Sequence, residues 1–340
     1  MAQTSLELIK AALAFKSPYR LPVKMEGLGI SDVVNIPRLD DHKSINNKKW
    51  LDEWGCTWEK TDMENMGQVT GHPLQELADV SKMTIPDYNQ SWRYETCEDV
   101  FRQAEKEEKY TSVGIFMILF ERMHSLAGFE KILMGLMTDR KKMEELADKI
   151  VAAQISLVKN YQQRFGDRLH AFGMTEDWGT QKAAFISREL WDDFFFPRYQ
   201  KIFDVMHSGG QDVWVHSCGK INEIAAGFIK SGVNALNLQQ PRALGIKEMG
   251  ERYRGRVTFE SLADIQATLP RDDEAEIIKD AEELGKYWML PEGGFVFSDY
   301  GEGEAIGASK PAKISMYNAF SKVSEKIYGN PLPELSEAAG

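Results

Sequence analysis

The chain has 340 residues, and its 43% hydrophobic and 27% charged residues predict a sizeable buried core. Three cysteines, an odd number without a CxxC pair, exclude a disulfide scaffold. The formal net charge of −11 disfavours a general binder of nucleic acid or anionic membranes, although it leaves room for a local basic patch. The first residues lack a signal-peptide pattern, and no stretch approaches the roughly 18 apolar residues of a membrane span, so we expect a cytoplasmic protein.

The first half of the chain has few regular patterns. The run SVGIFMILF (112–120) predicts a buried strand, and apolar residues at helical spacing predict a long helix over 139–166. A polar stretch rich in Trp, Gly and Pro predicts an insertion over about 40–100, for which hairpins are one candidate structure, lying over a pocket or at a partner surface. Its tryptophans recur at every fourth position, the spacing of a helix face: Trp50, Trp54 and Trp58.

In the second half, short apolar runs alternate with helical patterns. The runs are LHAFGM (169–174), VWVHSCG (213–219), ALNLQQ (235–240), RVTFES (256–261) and GFVFSD (294–299). Helices are predicted over about 188–207, 221–230, 246–253, 274–288 and 312–328. This alternation predicts an α/β fold with a parallel sheet and crossover helices. The length suits a (β/α)8 TIM barrel of about 250 residues with an N-terminal insertion, and we expect one domain over 1–340.

A doubly wound open sheet is the alternative fold for such a pattern. That fold is expected to carry a glycine-rich phosphate turn after its first strand. Neither GxGxxG nor GxxxxGK[ST] occurs in the chain, which disfavours this fold and nucleotide binding together.

The run VWVHSCG ends in the most specific candidate site. His216 and Cys218 are two residues apart, so their side chains point to the same face of a strand. The carboxyl end of a barrel strand is the active-site face, and imidazole and thiolate are both zinc ligands. A core histidine beside an inert cysteine is the structural alternative, because two ligands alone do not make a metal site. Cys56 and Cys97 are expected to be buried structural residues.

The other predicted strands also end in polar or aromatic side chains. Repetition of this feature at one end of a barrel predicts a pocket at its mouth, although polar loops alone would explain some of the residues. The residues are Glu121, Arg122, Glu176, Asp177, Trp178, Asn237, Gln239, Gln240, Glu260, Ser261, Asp299 and Tyr300.

Several segments, taken in order, resemble the uroporphyrinogen decarboxylase superfamily, which includes decarboxylases and cobamide-dependent methyltransferases. They are GIFMILFERMHSLAGFEKIL, EDWGTQKAAFISRELWDDFFFPRYQKIFDVMHSGG, VWVHSCGKINEIAAGFIKSGVNALNLQQ and GGFVFSDYGEGEAIG. The resemblance covers about residues 114–328. It implies a (β/α)8 barrel with its site at the C-terminal mouth.

Within the superfamily, the chain is more similar to the methyltransferases. The decarboxylases have an Arg-rich N-terminal motif that binds substrate carboxylates, whereas FKSPYRLPVKMEGLG contains only Arg20. The decarboxylase GHG turn appears here as DYG, with Tyr300 in place of the histidine.

The methyltransferase branch holds zinc with an HxC motif and a more C-terminal cysteine. His216 and Cys218 match the first two ligands, but no cysteine occurs near 298–302, where the third would fall. Whether zinc binds therefore stays open, as does its third ligand. The candidate oxygen ligands are Asp177, Glu176, Glu260 and Asp299.

EDWGTQ and DYGEGEAIG are similar to the subgroup that includes O-demethylase methyltransferases. In that reaction a Co(I) corrinoid (cobalamin) on a partner protein attacks the methyl carbon of a methyl ether. The resemblance implies transfer from a methoxylated, aromatic substrate to that corrinoid protein. Asp177 or Glu176 would donate a proton or bind zinc. His216 would bind metal or act as an acid, and Tyr300 would hydrogen-bond the ether oxygen.

The remaining candidates would bind the substrate, with Phe116, Trp178 and Tyr300 facing an aromatic ring. The predicted substrate-binding residues are Phe116, Glu121, Trp178, Asn237, Gln239 and Glu260. Two other functions stay open: a uroporphyrinogen-type decarboxylase, and a non-catalytic barrel that binds a small ligand or a corrinoid protein. A homodimer is also left open.

Overall fold

A computed structural model describes residues 3–60, 67–301 and 303–335, so part of the predicted insertion, 61–66, lies outside the described residues. Strands alternate with helices along most of the chain. The strands are β1 (Val23–Met25), β2 (Ile30–Ser31), β3 (Val33–Ile36), β4 (His42–Ser44), β5 (Lys49–Asp52), β6 (Thr57–Glu59), β7 (Gln68–Gly71), β8 (Tyr110–Ile115), β9 (Ala171–Thr175), β10 (Asp212–His216), β11 (Ala235–Asn237), β12 (Thr258–Ser261) and β13 (Phe295–Ser298).

The helices pack around the outside of the nine-stranded main sheet. They are α1 (Ser5–Leu13), α2 (Cys97–Lys106), α3 (Phe120–Ala127), α4 (Phe129–Thr138), α5 (Arg140–Phe165), α6 (Arg188–Leu190), α7 (Phe196–Ser208), α8 (Asn222–Lys230), α9 (Pro241–Leu244), α10 (Ile246–Tyr253), α11 (Glu274–Tyr287) and α12 (Lys310–Tyr328). A π-helical turn, Trp191–Phe195, joins α6 to α7. No helix within the described ranges combines the length and apolar character needed to cross a membrane.

The main sheet is a nearly closed, mostly parallel barrel. Its strand order is β2-β1-β13-β12-β11-β10-β9-β8-β3, with β2 antiparallel to β1. At the seam between β1 and β3, the Asp32 amide donates to the Val23 carbonyl at 2.7 Å, and the Val23 amide donates to the Asp32 carboxylate at 2.8 Å. Arg20 pairs with that carboxylate from outside. The predicted TIM barrel is confirmed.

The predicted helices agree with the structure to within two residues at most ends, since each is marked by a 3.6-residue apolar period. The 139–166 prediction corresponds to α5, whose inward face carries Met143, Leu146 and Ile150. The predicted strand over 112–120 was too long, because β8 ends at Ile115 and α3 begins at Phe120. Between them Met117 has a positive φ of 60°, which turns the chain out of the sheet.

The insertion forms a separate antiparallel sheet, β4-β5-β6-β7, as an N-terminal addition to the barrel. The helical interpretation of its tryptophans was wrong: Trp50 and Trp58 face each other across a hairpin, with ring centroids 6.0 Å apart. The turn between them is held by Asp52, whose Oδ1 accepts the amides of Trp54 and Cys56. A separation of eight residues fits the two register partners of this hairpin as well as it fits about two turns of a helix.

Trp58 also connects the insertion to the barrel. Its ring lies 5.8 Å from that of Phe116, which follows β8 at the barrel mouth. The insertion sheet therefore lies beside the opening of the barrel. Cys56 and Cys97 are both buried, as expected for structural residues, and their thiols donate to the carbonyls of Ser125 and Pro37.

Candidate metal centre and substrate cavity

A cavity of about 660 Å³ opens at the carboxyl ends of the barrel strands. Most of the residues predicted for the site lie on its wall. These are Phe116, Asp177, His216, Cys218, Asn237, Gln239, Glu260 and Tyr300. The register of three neighbouring strands explains why, because His216, Asn237 and Glu260 are direct partners on β10, β11 and β12. Register partners in parallel strands point to the same face, here the barrel interior.

Asp177, His216 and Cys218 form a compact group of possible metal ligands. One ligand atom from each lies within 4.8 Å of the others. His216 Nε2 is 3.3 Å from Cys218 Sγ and 3.5 Å from Asp177 Oδ1. A nitrogen, a sulfur and an oxygen donor fit zinc, and three protein ligands leave a fourth position open, as in catalytic zinc sites.

Asn237 orients the imidazole of this group. His216 Nδ1 lies 2.6 Å from Asn237 Oδ1, so the ring donates its Nδ1–H to the amide oxygen. Nε2 then keeps its lone pair and points it toward Asp177 and Cys218. A partner of this kind on the outer ring nitrogen is the usual support of a metal-binding histidine.

The charge balance around the thiol also fits a cation. Burial, together with the negative charges of Asp177 and Glu121, raises the pKa of the Cys218 thiol well above its usual range. Without a cation the sulfur therefore stays protonated. A divalent ion held by the three residues would offset both carboxylates and stabilise the thiolate that zinc requires.

Two glycines bring Asp177 to Cys218. The loops after β9 and β10 touch, with Lys220 donating its amide to the Thr180 carbonyl at 2.7 Å. A Cβ on Gly219, which has a φ of +80°, would lie 2.2 Å from the carbonyl oxygen of Gly179. This close approach lets Asp177 Oδ1 accept the Cys218 amide at 2.7 Å.

Glu176 is predicted as a proton donor or metal ligand, but the structure places it behind the cavity wall. Its carboxylate is fully buried and accepts the amides of Leu119, Phe120 and Glu121, as well as the hydroxyl of Tyr199. It thus supplies the cap that Leu119, the N-cap residue of α3, cannot provide with its side chain. Burial still raises its pKa to about 7.

Trp178 is likewise placed away from the substrate cavity. Its side chain is fully buried, stacks on Phe120 with centroids 4.0 Å apart, and donates from Nε1 to the Tyr199 hydroxyl at 3.1 Å. Contrary to the prediction, Trp178 is therefore not placed to face a substrate ring in the cavity. A tryptophan after a strand end signals burial as readily as binding, because both follow from apolar character.

Glu121 lies in a second cavity, of about 410 Å³, on the other side of Asp177 and His216. Burial and the charges of Asp177 and Glu176 raise the pKa of the Glu121 carboxyl to about 8. His72 and His124 line the same cavity, a placement that the sequence did not indicate. Loop and helix histidines distant in sequence meet here only through the packing of the insertion on α3.

The other predicted oxygen ligands have partners of their own. Asp299 pairs with Lys313 at 3.1 Å, and the same ammonium donates to the Tyr300 carbonyl at 3.0 Å. Glu260 pairs with Lys24 at 3.2 Å. Of the four candidates, Asp177 is the one that the structure brings to His216 and Cys218.

Lys24 is a cavity residue that the sequence patterns do not predict. Its strand, β1, is only three residues long and carries no clear alternation. The one local signal was a lysine inside the apolar run LPVKM, which is where a strand of a barrel can turn a charged side chain inward.

The fold and the site together define a TIM barrel with a group of candidate metal ligands at its C-terminal mouth. The chain belongs to the uroporphyrinogen decarboxylase (URO-D) family, whose model matches residues 51–263. Among solved structures, a methyltransferase from Methanosarcina mazei is similar, with a TM-score of 0.69 and 15% identity over 96% of this chain and 99% of that chain. At this identity the likeness shows the fold.

A second solved structure is an IOLI protein with a bound zinc atom. Its TM-score is 0.36 and its identity 11%, over 66% of this chain and 94% of that chain, which is too distant to support an argument. None of the curated proteins matches the chain.

Proposed function

We propose that this protein is a methyltransferase that moves a methyl group from a methoxylated aromatic compound to the Co(I) centre of a corrinoid protein. The observation that carries the proposal is the Asp177–His216–Cys218 cluster beside a cavity walled by Phe116 and Tyr300. Membership of the URO-D family supports it, and so does the fold shared with a methanogen methyltransferase.

The chemistry of a methyl ether requires help for the departing oxygen. As the methyl carbon passes to the corrinoid, the C–O bond breaks and the oxygen leaves with the electron pair, which is unfavourable unless it is protonated or bound to a Lewis acid. Zinc held by Asp177, His216 and Cys218 would supply that Lewis acid. Tyr300 would donate a hydrogen bond to the oxygen, and Phe116 would hold the ring.

The cavity offers little to a substrate with many carboxylates, which disfavours porphyrinogen decarboxylation. No arginine occurs among the described residues that line it. Arg20, the one arginine in the stretch that resembles the decarboxylase motif, is paired with Asp32 at the barrel seam. Several guanidinium groups would be needed to bind several carboxylates with comparable geometry.

The corrinoid protein would dock at the barrel mouth and the insertion sheet. A further cavity of about 560 Å³ lies there, lined by Trp50 and Trp58 and sharing Phe116 with the substrate cavity. A partner at this face would therefore reach the same opening as the substrate, as methyl transfer between two bound groups requires.

The test is methyl transfer from a panel of methoxylated aromatic compounds to a purified Co(I) corrinoid protein. The loss of Co(I) absorbance measures the transfer. We expect turnover with at least one of them. Release of CO₂ from uroporphyrinogen in the absence of methyl transfer would establish the decarboxylase instead. His216→Ala and Asp177→Ala should abolish turnover in an enzyme, whereas a pure binding barrel would show no turnover to lose.

A further inference from the structure

An ion pair lies inside the substrate cavity, apart from the candidate metal ligands. Lys24 Nζ donates to Glu260 Oε1 at 3.2 Å and lies 5.6 Å from the ring centroid of Trp214. All three residues line the cavity. The Glu260 side chain is 3% exposed, and that of Lys24 is 26% exposed, so the ammonium is the more open partner.

The pair and the metal ligands lie at two ends of one cavity. Glu260 is two strands away from His216, with Asn237 between them in the same register. Because neighbouring strands lie about 4.8 Å apart, Glu260 stands roughly 10 Å from His216 at the backbone. The space between them suits one aromatic ring with a polar group at each end.

Building on the proposed function, we propose that Lys24 and Glu260 form a specificity subsite that binds a phenolic hydroxyl of the substrate. The ring then lies along Trp214, and its methoxyl group reaches Asp177, His216 and Cys218. The substrate class is accordingly a methoxyphenol rather than a simple methoxybenzene.

The chemistry of the pair selects a hydroxyl. A lysine ammonium has three donors, one of which goes to Glu260, so another can donate to an incoming oxygen. A hydroxyl both accepts from Lys24 and donates to the Glu260 carboxylate. A second carboxylate would instead place two negative charges against one ammonium, and a bare ring would cover the partly exposed ammonium without giving it a new partner.

Direct binding tests this subsite without any turnover. The probes are 4-methoxyphenol, methoxybenzene and 4-methoxybenzoate, titrated calorimetrically into the 340-residue chain with no corrinoid protein present. A hydrogen bond to a charged group predicts about tenfold or greater preference for 4-methoxyphenol over methoxybenzene. Equal affinities, or a preference for 4-methoxybenzoate, would overturn the proposal.

A variant then assigns the preference to the pair. Lys24→Met combined with Glu260→Leu removes both charges, so neither is left buried and unpaired. This double variant should lose the preference for 4-methoxyphenol over methoxybenzene. Lys10→Met, which changes a lysine beside Asp212 at the opposite end of the barrel, should keep it. A double variant that folds and keeps the preference contradicts the proposal.

The subsite and the proposed function fail in different ways. Preferential binding of 4-methoxyphenol without methyl transfer to any corrinoid protein would overturn the function and leave the subsite standing. Methyl transfer from methoxybenzene with the same KM and kcat as from 4-methoxyphenol would overturn the subsite and leave the function. Should the double variant fail to fold, the three probes on the unaltered protein still decide the matter.

Discussion

His216 donates its Nδ1–H to the side-chain oxygen of Asn237 over 2.6 Å, across the neighbouring strands β10 and β11. This hydrogen bond turns Nε2 toward Asp177 and Cys218. The candidate metal centre therefore depends on Asn237, which is not itself one of the candidate ligands.

Replacing Asn237 tests that dependence. Asn237→Leu should lower zinc affinity about 10- to 100-fold, because the imidazole loses the partner that sets its tautomer and orientation. Asn237→Asp keeps an acceptor oxygen and should retain most of the affinity. Competition with a chromogenic chelator measures both. Equal affinity in Asn237→Leu and the unaltered protein would show that the hydrogen bond does not support metal binding.

Neighbouring acidic residues should behave in opposite ways. Asp177→Asn should reduce the zinc content of the purified protein while leaving its stability nearly unchanged, since this carboxylate faces the cavity. Glu176→Gln should retain zinc but lower the free energy of unfolding by about 1–3 kcal/mol, because a buried cap of α3 is weakened. Metal analysis and urea denaturation decide between these assignments, and the reverse pattern would refute them.

Gly219 should not tolerate a side chain. In Gly219→Ala the added Cβ would lie 2.2 Å from the Gly179 carbonyl oxygen, and the residue would keep a φ of +80°. We expect a loss of roughly 1–3 kcal/mol of stability and a weakened metal site, because the loops must separate. Gly301→Ala, where an added Cβ meets nothing within 4 Å, is the matched control and should change neither property.

The contribution of His170 to stability should fall in mild acid. Burial lowers the pKa of this imidazole from 6.5 to about 4, and its Nδ1 accepts the Thr111 amide at 3.0 Å. Below pH 6.5 the unfolded chain binds a proton that the folded protein does not, so stability is lost as the pH falls from 6.5 toward 4. At pH 5 the loss from this group is about 2 kcal/mol.

The variant His170→Asn isolates that effect, because its side-chain oxygen keeps an acceptor for the Thr111 amide. Urea denaturation at pH 7 and pH 5 measures how the unfolding free energy changes with pH, and on going to pH 5 this change should be more favourable for the variant than for the unaltered protein by about 2 kcal/mol. An equal change in both proteins would assign the acid sensitivity to other groups.

The parts of the fold that the sequence predicted correctly are those that depend on local periodicity. The 3.6-residue apolar period located α5 and α10, and alternating strands and helices indicated the barrel, since both patterns depend on residues near one another in the chain. The tryptophans of the insertion were misassigned because an eight-residue separation fits two helical turns as well as the hairpin that pairs Trp50 with Trp58.

The site divides in the same way. The sequence by itself predicted that His216 and Cys218 lie together at a strand end, and this holds although β10 ends at His216, because a two-residue separation is a local property. Only the tertiary structure selected Asp177 over Glu176 and Glu260, through the contact of Gly179 with Gly219. Lys24 and Glu260, 236 residues apart, meet because the barrel nearly closes, a long-range event that no local pattern records.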